Sequence, residues 1–181
     1  MEAAFDQSTD LPDGLKALFE RSTISLTIAD ATQPDCPLIG ANAAFLELTG
    51  YAADEIIGHN CRFLQPTDGA GPVRARMRRF LKDADAADGK FLIPNVTKDG
   101  HRFLNLVYLA KMVRNGRTSA ILGSQFSVGS RVPNPEEIYD RALKEDLRKL
   151  NLLTNESNWV VLGSFDALAS SHSIIARARY E

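Results

Sequence analysis

The dipeptide Asn115-Gly116 constrains this chain more than any other feature. It separates two long runs, Arg102 to Val113 and Thr118 to Val128, that read as β-strands. An Asn-Gly pair adopts the positive φ angles of a tight hairpin turn at little cost, and the twist of that turn matches the strands it joins. A third strand, Phe91 to Thr97, enters the hairpin through the turn Lys98-Asp99-Gly100. The middle of the chain is therefore an antiparallel meander.

The segments before it are shorter. Asp13 to Arg21 carries Leu15, Leu18 and Phe19 at helical spacing, while the first ten residues are polar and expected to be loose. Ser25 to Ala29 alternates as a strand. Ala31 to Pro37, with two prolines and Asp35, is a turn, and Leu38 to Ala41 is a second short strand. Asn42 is placed to cap a helix over 43–48 that stops at Gly50. A further helical turn or two over 52–57 is stopped by Gly58. Pro72 to Lys82 predicts a helix with Val73, Met77, Phe80 and Leu81 on one face and arginines at 74, 76, 78 and 79.

Beyond Gly129 the texture changes. Asn134-Pro135-Glu136-Glu137 is a helix start, followed by Leu143, Leu147 and Leu150. Asn155 or Ser157 is expected to cap a last helix through Val160, Val161, Phe165, Leu168, Ile174 and Ile175, with Arg177 and Arg179 near its end. The expected fold class is α+β: a five-stranded antiparallel sheet with short helices on one face, a flanking N-terminal helix and a C-terminal helix pair. The expected divisions are 1–22 for the N-terminal cap segment, 23–129 for the core and 130–181 for the C-terminal helical extension.

Charge and composition narrow the function classes. With 21 basic and 23 acidic side chains, the net charge of −2 supplies no excess of cations to hold a phosphate backbone, so a nucleic-acid partner is not expected. No run approaches the roughly 18 apolar residues of a membrane span, and the N-terminus lacks the pattern of a signal peptide. Cys36 and Cys61 are too few for a disulfide framework or a zinc site of their own, so no metal is expected and a reducing cytoplasm fits.

Cys61 sits in the compact segment Gly58 to Gln65, GHNCRFLQ. On residues alone it reads as a buried inert thiol or as a cavity-facing nucleophile. His59, His101 and His172 are not placed to serve as its base. The segment resembles the signature of LOV domains, the flavin-binding blue-light sensors of the PAS superfamily, written G-x-N-C-R-F-L-Q, and agrees at seven of its seven specified positions. ANAAFLELTGY at 41–51, NVTKDGHRFLNLVYL at 95–109 and ILGSQF at 121–126 resemble further LOV segments in the family's order.

The resemblance implies a PAS-like sheet and a bound flavin. Asn95 and Asn105 match the asparagines that meet the polar end of the ring, and an amide that both donates and accepts suits that mixed edge. Asn60 and Gln65 match contacts to the ribityl chain. Arg62 and Arg78 match the arginines that hold the phosphate. Two arginines favour FMN over riboflavin, and the absence of an insertion after the signature favours FMN over FAD. Thr27, Ala29, Leu64, Val107, Ile121 and Gly123 match positions lining the ring; Thr27 departs from the usual aliphatic residue there. His59 replaces a more frequent arginine, Cys36 matches no functional position, and the single tryptophan, Trp159, lies outside the core.

The implied reaction is photochemical: the Cys61 sulfur bonds reversibly to flavin C4a, and Gln125 senses the change at flavin N5. No substrate is turned over, so the chain is not read as an enzyme. The alternative is a flavin-based redox sensor or oxidoreductase using the same pocket. The 48 residues after Pro133, with eight acids and six bases, leave no room for a fused effector. They resemble the extensions of short bacterial LOV proteins. A homodimer through the N- and C-terminal helices and an unknown downstream protein are the expected partners.

Overall fold

The computed structural model describes residues 2–128, 140–146, 148 and 159–161. The sheet has seven strands: β1 (Ala4–Phe5), β2 (Ser25–Asp30), β3 (Leu38–Ala41), β4 (Asp88–Val96), β5 (Arg102–Arg114), β6 (Arg117–Val128) and β7 (Trp159–Val161). Their order is β1-β3-β2-β6-β5-β4, all pairs are antiparallel, and β7 adds to β5 at Met112–Arg114, past the end of its pairing with β4. Around the sheet lie α1 (Asp13–Arg21), α2 (Ala43–Thr49), α3 (Ala53–Ile56), a 3-10 turn (Cys61–Leu64) and α4 (Val73–Lys82), with a helical stretch at 140–146.

The hairpin closes as its sequence dictates. Arg114 pairs with Arg117, and Asn115 and Gly116 take φ angles of 52° and 75°. Asn42 is a cap with a second task. Its Oδ1 accepts from Phe45 N–H in α2 and from Leu26 N–H in β2, while its Nδ2 donates to the Ile24 carbonyl. One buried amide thereby fixes where α2 leaves the sheet.

Side-chain alternation divides the sheet into two faces. Leu26, Ile28, Leu106, Tyr108, Ala110, Met112, Ala120 and Leu122 point to one, where Leu15, Leu18 and Phe19 of α1 cover them together with Leu143. The apolar stripe of α1 is thus spent within the chain. Polar contacts tie down the 140–146 stretch, among them Lys90 Nζ to Asp140 Oδ1 at 3.1 Å and Ser22 Oγ to Asp146 Oδ2 at 2.5 Å. The opposite face carries the short helices and α4.

Four expectations need correction. The first ten residues are not all loose, because Ala4 and Phe5 pair with Ala41 and Gly40, and Phe5 packs on Phe19 with ring centroids 5.5 Å apart. A two-residue strand has no readable period; tertiary packing makes it. Residues 130–181 are not all helical: Trp159–Val161 are β7, where β-branched valines complete an otherwise bare length of β5. With β1 and β7 the sheet has seven strands rather than five. Trp159, expected outside the core, is buried on β7, with the Arg114 guanidinium 5.4 Å from its ring centroid. The predicted caps at Asn134 and at Asn155 or Ser157, Leu147, Leu150 and the apolar positions from Phe165 onward lie outside the described residues.

Candidate functional site

The odd-numbered side chains of the central strands all leave the sheet on the face away from α1. Register puts Thr27 opposite Gly123, Ser25 opposite Gln125, and Gln125 opposite Val107. Thr27, Val107, Gly123 and Gln125, with Ala29, Ile93, Asn95, Asn105, Leu109 and Ile121, form the floor of a cavity holding about 780 Å³ of atom-free space, its open mouth included. Leu38, Leu64, Cys61 and Gln65 form one wall, and Met77 and Leu81 of α4 another. Asn60, Arg62 and Cys36 stand among the remaining lining residues.

Gly123 keeps the centre of the floor low. A Cβ there would lie 2.7 Å from Thr27 Oγ1 and 3.2 Å from Gln125 Nε2, closer than packed atoms tolerate. The space over the floor is thus left open and is lined mostly by apolar side chains, with a few polar groups among them, as a flat aromatic ligand requires.

One such end is an amide pair. Asn105 Nδ2 donates to Asn95 Oδ1 at 2.8 Å, Asn95 Nδ2 donates to the Pro94 carbonyl at 2.9 Å, and Asn105 Oδ1 accepts from Phe126 N–H at 3.2 Å. Both side chains are buried. Each NH2 carries two N–H donors and spends one in these bonds, so each amide retains a donor for a ligand's carbonyl.

A second polar group spans β2 and β6. Ser25 Oγ donates to Gln125 Oε1 at 3.1 Å, and Gln125 Nε2 donates to Thr27 Oγ1 at 3.0 Å. The Thr27 hydroxyl also lies near the Cys61 sulfur. Thr27 thus stands between the cysteine and the glutamine. Cys61 heads the 3-10 turn, where Asn60 Oδ1 accepts from Arg62 N–H at 3.0 Å and starts the helix. The Cys61 side chain is half-buried and lines the cavity. Burial pushes the thiol up to about 12, with the Thr27 hydroxyl pulling weakly the other way. At neutral pH Cys61 is a protonated thiol, so it is not an activated nucleophile of the thiolate kind.

At the mouth, Arg62 forms a bidentate ion pair with Asp35, and this hydrogen bond holds the Asp35 carboxyl below its usual range. His59 is exposed.

Of the residues singled out in the sequence, Thr27, Ala29, Asn60, Cys61, Arg62, Leu64, Gln65, Asn95, Asn105, Val107, Ile121, Gly123 and Gln125 all line this cavity. Arg78 does not: it is exposed on α4 beside the lining residue Met77. The sequence reading missed Cys36, Leu38, Met77, Leu81, Ile93 and Leu109. Two pairs were signalled: Ile93 and Leu109 share the parity of Asn95 and Val107, and Met77 and Leu81 are four apart on one helix face.

The PAS domain family matches residues 25–125. The Rhodobacter sphaeroides LOV protein superposes with a TM-score of 0.78 at 30% identity, covering 93% of this chain and 95% of that one. The chain is a LOV protein of the PAS family. The LOV domain of an Erythrobacter litoralis blue-light activated histidine kinase covers 61% of this LOV chain and is itself covered in full, at 32% identity and a TM-score of 0.56. A blue-light-activated histidine kinase of Rhizobium johnstonii is 33% identical over 95% of this LOV chain. The chain spans only about half, 52%, of that kinase's length. Among the described residues of this LOV protein, no helix is long and apolar enough to cross a membrane.

Proposed function

We propose that this LOV protein senses blue light through a flavin, FMN, held in the cavity described above. The observation that carries the reading is one cavity lined by Cys61, the Asn95–Asn105 amide pair and Gln125, in a chain of the LOV family. The residues present fit a flavin: an apolar slot over Gly123 for the ring faces, amides at one end for the ring's carbonyls and N–H, and Arg62 at the mouth for a phosphate. The exposed Arg78 lies next to the lining and is assigned to the same phosphate.

When bound, the flavin would supply light absorption and a ring carbon, C4a, open to the Cys61 sulfur, with ring nitrogen N5 to take up the thiol proton. Every other part of the cycle belongs to the chain. Cys61 waits as a neutral thiol within the cavity wall, so positioning replaces thiolate activation. Gln125 is the switch. A ring nitrogen that changes from acceptor to donor requires the facing amide to turn over, because an unmatched buried polar group costs about 1–3 kcal/mol.

Two hydroxyls make this turn inexpensive. In the orientation described, Ser25 donates to Gln125 Oε1, and Thr27 accepts from Nε2. After a half-turn, Thr27 donates and Ser25 accepts, so both orientations of Gln125 are satisfied. Such a group is bistable, and a small bias selects its state. β6, which carries Gln125, borders both β2 and β5; β5 in turn supports β7, so a change at Gln125 is well placed to alter the terminal segments and their contacts with a second copy or a partner.

The test is a spectrum of the purified full chain, with mass analysis of the chromophore released on heating. A yellow protein that releases FMN, bleaches in blue light and recovers in the dark supports the reading. A colourless protein that takes up no added flavin refutes it.

A further inference from the structure

The ion pair at the cavity mouth has no part in the reading above. The Arg62 guanidinium donates through two nitrogens to both carboxylate oxygens of Asp35, in the turn between β2 and β3. Asn60 Nδ2 donates to the backbone carbonyls of Asp35 and Cys36. The side chains assigned to the phosphate and the ribityl chain are therefore both engaged by one dipeptide of the opposing loop. That dipeptide is sharply bent: Asp35 and Cys36 have φ angles of 72° and 47°, in the left-handed region that non-glycine residues seldom occupy. Cys36 itself lines the cavity. A two-pronged carboxylate on a guanidinium uses the same fork by which arginine grips a phosphate.

We propose that Asp35 is a phosphate-mimicking latch: it holds Arg62 across the cavity mouth and lowers the preference of the site for a phosphorylated flavin over an unphosphorylated one. The proposal rests on the flavin reading and adds a specificity-determining residue to it. A phosphate that takes the Arg62 fork must displace the Asp35 carboxylate or stand beside it as a second anion. Both routes penalise the phosphate and leave the ring untouched. Asp35 thus acts on the one part that distinguishes FMN from riboflavin.

Asp35→Asn removes the charge while keeping the size, and asparagine tolerates the left-handed backbone at this position. The full chain, stripped of flavin, is titrated with FMN and separately with riboflavin by quenching of flavin fluorescence. The variant is expected to bind FMN about two- to fivefold tighter than wild type, a modest gain because exposed ion pairs are weak. Riboflavin affinity is expected to stay the same. Unchanged FMN affinity overturns the latch. Weaker FMN binding overturns it too, since Asp35 would then be orienting Arg62 for the phosphate. An equal change for both flavins overturns it by making Asp35 a prop for the turn. A wild-type chain that binds neither flavin overturns the flavin reading itself, and the latch with it.

Discussion

Thr27→Val tests the hydroxyl that stands between the cysteine and the glutamine. The substitution nearly conserves volume and suits a strand, so backbone and packing change little. What it removes is one hydroxyl. Gln125 Nε2 loses its acceptor at 3.0 Å, and Gln125 is only 5% exposed, so the only replacement open to it is water within the cavity. Stranding a buried donor costs about 1–3 kcal/mol. For a chain of this size, each kcal/mol shifts the melting midpoint by about 2–4 °C, which predicts a fall of roughly 2–12 °C in the flavin-free protein. A double-mutant cycle isolates the pair. Gln125→Leu removes the amide, after which Thr27→Val strands nothing and costs less, giving a coupling of about 1 kcal/mol or more by urea denaturation. In the flavin-loaded protein the same variant is expected to slow dark recovery, because both orientations of Gln125 lose a partner and the hydroxyl beside the sulfur is gone. Zero coupling in the cycle, together with unchanged recovery, refutes the relay.

Other expectations follow from the same geometry. Gly123→Ala brings a methyl to 2.7 Å from Thr27 Oγ1 on a central strand, and the overpacking is expected to cost about 1–3 kcal/mol by urea denaturation and to weaken flavin retention. High pH is expected to destabilise the flavin-free chain. Folding raises the Cys61 thiol from an ordinary 9.0 to about 12, so between those values the unfolded chain has released a proton that the native one keeps. This contribution is complete below 9 and is lost as pH climbs toward 12; Cys61→Ala should flatten that part of the stability–pH curve. Asp140→Ala removes the carboxylate from Lys90, whose side chain is 6% exposed. Proteolysis is then expected to cut around 140–146 several-fold faster, and an unchanged rate would show that this ion pair does not hold the stretch to the sheet.

What the sequence disclosed and what it hid have separate physical causes. The hairpin at Asn115-Gly116 and the Asn42 cap were legible because each depends on backbone preferences within a few residues. Strands β1 and β7 were not, since two or three residues carry no period and form only by pairing with Ala41 and Gly40 or with the bare length of β5. For β7 the apolar residues also fitted a helix, and long-range pairing decided between the two. The site divided in the same way. Cys61, Asn95, Asn105 and Gln125 could be named from short motifs; alternation along β4, β5 and β6 brings the last three to one face, and the 3-10 turn sets Cys61 in the wall above them. Cys36 reaches the lining, and Asp35 reaches Arg62, from a bent turn that residue types do not reveal. The place of Thr27 between Cys61 and Gln125 depends on cross-strand register, which fixes Thr27 opposite Gly123 and Ser25 opposite Gln125.

The central claim is that Cys61 is the light-reactive group of this cavity. A light-minus-dark absorption spectrum of the flavin-loaded full chain, beside that of Cys61→Ala, tests it most directly. The wild type is predicted to lose its blue-absorbing band under illumination and regain it in the dark, while Cys61→Ala keeps a bound flavin and shows no such reversible loss. A Cys61→Ala chain that bleaches and recovers as the wild type does would contradict the account.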